Sequence, residues 1–345
     1  KVGAEFGVVV VLIEGEQVEV ATFRTESDYV DGRHPGVVSF STAKEDASRR
    51  DFTINAMFFD PVEEEVIDYF GGQEDLARGI IRTVGQPGQR FDEDYLRMLR
   101  AVRFSGQLEF EIDGKSWDAI CEHAAKIAEI SGERICMELE GIVTSRGRSS
   151  AVEKLIESGL GGAIFEGYGG ESARKGAEVL GNMEGQISFA AGLAAMWAGF
   201  ETEFSMERCE VLKLSNKQRG RLRFLLCNRG ELRRDDMELW ELKMFVGSDY
   251  FDDLLAVERG IVLAEGGGDM DKLDRLCRRA EELEKKSVKP EPLLNGNELI
   301  EMGVVEGPQV GVVSRELYKA QLQEEVLTVE QARDWVRRWL EVGGS

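Results

Sequence analysis

A change of hydrophobic period at Gly85 constrains this chain more than any other feature. Before it, short β-branched runs are separated by Gly, Pro and Asp turns; after it, apolar residues recur at helical spacing. The expectation is an α+β unit followed by a mainly helical remainder, with no further strand. Residues 6–13 are apolar at every position, as in a strand covered on both faces, and a short turn leads to a second strand over residues 18–23. In that strand Glu19 points away from Val18 and Val20, either into solvent or, beside a phosphate-handling stretch, toward a metal. Residues 29–35 form a polar loop, and further strands are expected over 37–40, 66–70 and 80–84. Helices are expected over 95–108, 116–127, 132–143, 149–158 and 173–183, with a glycine-rich loop at 159–170 and breaks at 266–268 and 289–292. These breaks divide the chain into 1–86, 87–147, 148–288 and 289–345, without internal repeats.

A length of 345 residues suits two or more compact units, since single domains run to roughly 100–200. No apolar run approaches a membrane span, so a membrane partner is not expected. The net charge of -22, from 43 basic against 65 acidic residues, argues against indiscriminate polyanion binding and confines any nucleic-acid contact to local basic patches. The cysteines, Cys121, Cys136, Cys209, Cys227 and Cys277, lack zinc or redox spacing and read as reduced cytosolic thiols. Neither His34 nor His123 sits in a metal-like cluster, and no metal ligand set is expected within the chain. The chain starts at Lys1-Val2-Gly3 without an initiator Met or a signal pattern, and so reads as part of a longer protein.

Polar groups of fixed type interrupt the apolar pattern at residues 49–57, RRDFTINAM. Two guanidiniums, a carboxylate and a carboxamide within seven positions suit a ligand site, although an isolated Arg-Arg-Asp is more often a solvated helix or strand start. A second set follows on the helix at 95–108. On a helical wheel Arg97, Arg100 and Arg103 step round one half after Asp94, while Tyr95, Met98, Leu99 and Val102 occupy the other. Three arginines in one row repel each other unless anions or acids meet them. Asp94 only accepts hydrogen bonds and Arg97 only donates them. Side by side they complement the amino and ring-nitrogen edge of cytosine or adenine, and not that of uracil or guanine. Such a pair selects CTP and ATP without a template, because mispairing leaves buried polar groups unsatisfied.

The ordered set of motifs resembles the class II tRNA nucleotidyltransferase and bacterial poly(A) polymerase family. The resemblance rests on Glu19 in VEVATFR, on RRDFTINA at 49–56, on DYFGGQEDLARGIIRTVG at 68–85, on Glu93-Asp94-Tyr95-Leu96-Arg97 and on the helix from Glu133-Arg134-Ile135 to Gly141. Near the C-terminus Pro292 to Leu299, Gly303, Gly307-Pro308, Gly311 and Gln321-Leu322 are similar as well. It implies an N-terminally incomplete polymerase-β-like nucleotidyltransferase head with a mixed sheet, then helical neck, body and tail. The implied reaction is addition of C and A from CTP and ATP to a tRNA 3′ end with pyrophosphate release. Poly(A) polymerase on the same scaffold, or a non-catalytic nucleotide- or RNA-binding remnant, are the alternatives. By resemblance Arg50 and Asp51 meet the triphosphate and ribose, Asn55 supports them, Asp94 and Arg97 read the base, and Arg100 and Arg103 complete the pocket. Glu19 matches a third active-site carboxylate. The family's Gly-Gly and Asp-x-Asp segment, which supplies the main Mg2+ ligands, is expected upstream of Lys1. Tyr95 departs from the small residue common there.

For the tRNA partner, Lys213, Lys217, Arg219, Arg221 and Arg223 form the better phosphate-contact candidate. A second cluster, Arg275, Arg278, Arg279, Lys285 and Lys286, is interleaved with Glu281, Glu282 and Glu284 and reads as a solvated helix face. Trp335 and Trp339, four apart on a terminal helix, read as packing residues, no protein partner is evident, and a cytoplasmic location is expected from the reduced thiols.

Overall fold

The computed structural model describes residues 8–13, 15–29, 35–283 and 288–341; Lys1–Gly3, His34, Lys285 and Lys286 lie outside this range. It contains two compact units, Lys1–Gly181 with Gly185–Arg219, and Asn182–Glu184 with Gly220–Ser345. The changes of composition near residues 86 and 147 are therefore not changes of packing unit. Strand pairing shows why at the first of them: β7 (Ile80–Ile81) pairs in parallel with β8 (Glu111–Ile112), across the expected boundary. That pairing also corrects the expectation of no strand after Gly85.

The class is α+β, with small two-stranded sheets among the described residues in place of one mixed sheet. β1 (Val8–Ile13) and β2 (Glu16–Ala21) form an antiparallel hairpin with Val10 opposite Glu19 and Val11 opposite Val18. The apolar run suggested a strand covered on both faces. Instead Val9 to Ile13 are all exposed, Leu12 to 71%, and so are Val18, Glu19 and Val20. A continuous apolar pattern specifies what a strand prefers to touch, and not that the described chain supplies it. β3 (Arg24–Tyr29) and β4 (Pro35–Phe40) make a second hairpin, and β5 (Met57–Asp60) and β6 (Glu65–Asp68) a third.

Helix α1 (Ala43–Ser48) starts at a capping box, in which Thr42 Oγ1 accepts from the Glu45 amide and Glu45 Oε2 accepts from the Thr42 amide. It packs through Ala47 against Ala56 and Val84, with Phe58 and Phe70 alongside. Between β6 and α2 (Gly72–Arg78) the chain turns through Gly71 at φ 77°, a conformation glycine adopts without strain. Asp68 holds this turn by accepting from the amides of Phe70, Gly72 and Gln73. Burial alone would raise its pKa, but those amides outweigh it and leave the carboxyl below its ordinary value. A depressed folded-state pKa contributes stability above the unfolded value and loses it as pH falls through the folded one. Asp68→Ala is accordingly expected to cost about 1 kcal/mol in urea unfolding at neutral pH, with the difference shrinking in acid.

Next come α3 (Pro87–Glu93), α4 (Leu96–Leu108) and α5 (Gly114–His123). As the wheel predicts, α4 buries Met98, Leu99 and Val102; Ala101 is buried with them, and Tyr95, expected on that face, is half-buried. Helix α6 (Gly132–Val143) packs along α4, over the span its periodicity predicts. Gly132 is where α6 begins, and a Cβ there would lie 1.8 Å from the Val211 carbonyl oxygen, so this start is pressed against the 209–212 turn. The expected loop at 159–170 contains a short helix, Leu160–Ile164, in which Leu160 and Ile164 pack inward despite the glycines between them.

The second unit is helical. Its C-terminal core gathers Leu294, Leu299, Val304, Val313, Leu317 and Val336, and Trp335 and Trp339 pack against it, as their spacing predicts. Among the described residues no helix is long and apolar enough to cross a membrane.

Candidate nucleotide site

Beyond the C-terminus of α1, Arg49 and Arg50 face back toward Asp46, one turn earlier. Asp46 is 3% exposed; its Oδ1 accepts from Arg49 Nε and Nη2 at 3.0 and 2.6 Å, and its Oδ2 from Arg50 Nε and Nη2 at 3.3 and 3.2 Å. Arg50 also donates from Nη1 to the Asn55 carbonyl and lies 4.6 Å over the Phe58 ring. One buried carboxylate therefore aims both guanidiniums. Asp51 is enclosed in a different way. Its Oδ1 accepts from the Phe52 amide and from Asn55 Nδ2, and its Oδ2 from Arg100 Nε at 2.5 Å. Burial would lower the Arg100 pKa, but Asp51, with Glu138 and Asp94 behind it, raises it above its ordinary value.

Asp94 lies between α3 and α4 in extended backbone. Its Oδ1 accepts from the Leu96 amide at 3.1 Å and its Oδ2 from Arg134 Nη2, on α6, at 2.6 Å. Arg97 is braced by Glu93 Oε2 at 2.5 Å and by the carbonyls of Arg90 and Arg49. Arg90 shares Glu93 and reaches the Val84 and Ser48 carbonyls. The expected Asp94 and Arg97 thus stand at one cleft, each oriented by another partner.

That cleft, of about 430 Å3, is lined by Arg49, Arg50, Asp51, Asn55, Asp94, Leu96, Arg97, Arg100 and Arg134. Five arginines and two carboxylates line it, with Asp46, Glu93 and Glu138 paired to four of those arginines from behind, and its size falls within the roughly 300–1,000 Å3 typical of small-molecule clefts. Arg103 lies outside the lining. It donates to Glu138 Oε2 at 2.6 Å and to Gln107, and stacks on Phe104, so it braces α4 against α6.

Sequence reading assigns no site role to Asp46, Arg134 or Glu138, although the last two fall within the motif at 133–141. Asp46 was legible in principle, since it precedes Arg49 and Arg50 by three and four residues on a helix. Arg134 lies 40 residues from Asp94, and no spacing announces that contact.

The remaining candidates lie elsewhere. Glu19 is exposed on β2, and among the described residues no group of three or more His, Cys, Asp or Glu could hold a metal ion. The described residues do not by themselves form a divalent-metal site. In the first unit Lys213 and Lys217 are exposed and Arg219 pairs with Glu210. In the second, Arg223 is exposed, and Arg221 bonds Asp253 at 2.6 Å and stacks over Tyr250. Of the other basic cluster, Arg275 bonds Asp235 and Arg279 the Met237 carbonyl.

A small-sheet head carrying an arginine-lined cleft thus continues into the helices that complete that cleft. Family models described as "Poly A polymerase head domain" and "Probable RNA and SrmB- binding site of polymerase A" match residues 1–82 and 109–168. The CCA-adding enzyme of Geobacillus stearothermophilus is 33% identical over 98% of this chain and 82% of its own length. On that extent of likeness, the chain belongs to the CCA-adding enzyme family. The Bacillus licheniformis CCA-adding enzyme is 49% identical, but over 46% of this chain, and the match spans about 40% of that relative's length. Among solved structures, the Bacillus stearothermophilus CCA-adding enzyme in complex with CTP superposes with a TM-score of 0.77 at 29% identity, covering 99% of this chain and 83% of that one. The Thermotoga maritima CCA-adding enzyme complexed with tRNA shares the fold, with a TM-score of 0.61 at 21% identity over 96% of this chain and 79% of that one.

Proposed function

We propose that the protein adds C and A from CTP and ATP to the 3′ end of tRNA, releasing pyrophosphate. The observation that carries this reading is the meeting of Asp94, an acceptor, and Arg97, a donor, in a cleft whose remaining charge suits a triphosphate. In this reading Arg97 donates to the ring nitrogen and Asp94 accepts from the exocyclic amine. Arg50, with Arg49 beside it, binds phosphate oxygens. Asp51 and Asn55 set the ribose side, and Arg100 holds Asp51 in place. Arg103 supports the pocket from outside through Glu138. The solved relative in complex with CTP supports a nucleotide as ligand of this fold.

The tRNA body is proposed to meet Lys213, Lys217, Arg219, Arg221 and Arg223 by backbone and shape. The divalent ion implied by the family is Mg2+ in this reading, and Glu19 is proposed as one carboxylate toward it. The described residues do not assemble that site, so no step is assigned to the ion. The proposed compartment is the cytoplasm, where tRNA 3′ ends are matured.

Labelled CTP and ATP offered with tRNA lacking its terminal CCA provide the test. Incorporation of C followed by A is expected. Incorporation of A alone, into any RNA, would replace this reading with a poly(A) polymerase. CTP binding without any transfer would leave a nucleotide-binding remnant.

A further inference from the structure

The carboxylate that faces the base is held by a residue from another helix. Asp94 sits in the short extended link between α3 and α4, and an Asp side chain has a broad, weakly defined terminal torsion. Its Oδ1 is tied to the Leu96 amide, which fixes one oxygen but leaves the plane free to rock. The second tie is Arg134 Nη2 on Oδ2, at 2.6 Å, the shorter and charge-assisted one. Both side chains are about one-fifth exposed, so the bond forms at the rim of the cleft and not in open solvent. The scaffold behind it is stiff. Arg134 lies in the first turn of α6, two residues after Gly132, whose missing side chain lets that turn press on the Val211 carbonyl. One turn further along, Glu138 locks the same helix to α4 through Arg103.

We infer that Arg134 is a specificity-determining positioning residue, which sets the plane of the Asp94 carboxylate and thereby the preference for bases that present an amino group. The inference rests on the proposed reading of the base by Asp94 and Arg97. It follows from geometry: a carboxylate with two remaining acceptor sites reads an amine only if those sites stay aimed at the cleft. Arg134 also lines the cleft, so the competing role is a plain phosphate contact. The two roles differ in what they do to a ratio. A phosphate contact serves CTP and UTP alike, whereas aiming Asp94 serves CTP alone.

Equilibrium binding of CTP and UTP, measured by calorimetry on the full chain, separates them and requires no turnover. For Arg134→Gln the CTP-over-UTP preference is expected to fall by about tenfold, mainly through weaker CTP binding. Arg134→Lys, which keeps a cation able to reach Oδ2 without the fork, is expected to recover part of that preference. Its thermal unfolding should match the parent, which keeps the comparison independent of folding in the glutamine variant. If both nucleotides weaken together and the ratio holds, the positioning role is overturned and Arg134 is a phosphate ligand. If the parent chain itself binds CTP and UTP equally, the reading of Asp94 and Arg97 fails, and this inference falls with it.

Discussion

Asp46→Ala is expected to destabilise the first unit by about 2–3 kcal/mol and to weaken binding of every nucleoside triphosphate by about tenfold. Removing one partner of a fully buried ion pair costs about 3–5 kcal/mol, because the other charge is stranded. Here the Arg49 and Arg50 side chains keep 26% and 35% of their exposure, so solvent recovers part of that cost. Two effects on nucleotide affinity oppose each other. Deleting a carboxylate makes the cleft more positive, and in an open, wet cleft that extra attraction is about 1 kcal/mol or less. Against it, two guanidiniums lose the group that aims them, Arg50 keeping the Asn55 carbonyl, and the equivalent of one charge-assisted phosphate contact, about 1.5–3 kcal/mol, is expected to go with it. Loss of aim should therefore win. Urea unfolding with calorimetric binding of CTP and of ATP checks both parts. Tighter binding in the variant would mean that net charge, and not placement, governs the phosphate side.

The parts of this design that were legible in sequence are those carried by local periodicity. Helix α4 and its buried face follow from apolar residues at helical spacing, and α6 runs over the residues its pattern predicts. The RRDFTIN stretch was legible as a ligand site because polar groups there break an apolar run. What periodicity could not supply were contacts between distant residues. Asp94 was read as the partner of Arg97, three residues on, yet each is oriented by a third group: Arg134 from α6 for the one, Glu93 for the other. Arg103 continues the row of Arg97 and Arg100, which on the sequence leaves it either to hold phosphate or to brace the pocket. A step of three residues turns about 300°, so each arginine swings about 60° from the last, and by the third the row faces Glu138. The β1 run misled in the opposite sense. Its pattern asks for cover on two faces, and the described residues leave both bare.

Arg97→Ala is expected to lower the preference for CTP and ATP over UTP and GTP by about a hundredfold, the largest functional effect of any single change considered. Sites that hydrogen-bond a substrate group in full enclosure discriminate by about 10^4 or more, because the wrong partner strands buried polar atoms. This cleft is open, and Asp94 keeps 19% of its side-chain exposure, so water relieves part of the mismatch and a smaller factor is expected. Arg97 itself is 11% exposed and braced by Glu93 and by the carbonyls of Arg90 and Arg49. Its direction is therefore set before a nucleotide arrives, and little ordering cost falls on binding. Glu93 retains Arg90 after the substitution, so the fold should lose no more than about 1 kcal/mol. Arg97→Lys should not restore base choice, since an ammonium cannot hold Glu93 and both carbonyls while still donating in plane to the base. Competition of each nucleotide against labelled CTP, at fixed salt, measures the ratio directly. An unchanged ratio in Arg97→Ala, with affinity merely lowered for all four nucleotides, would make Arg97 one more phosphate-binding arginine and leave base selection to groups other than this pair.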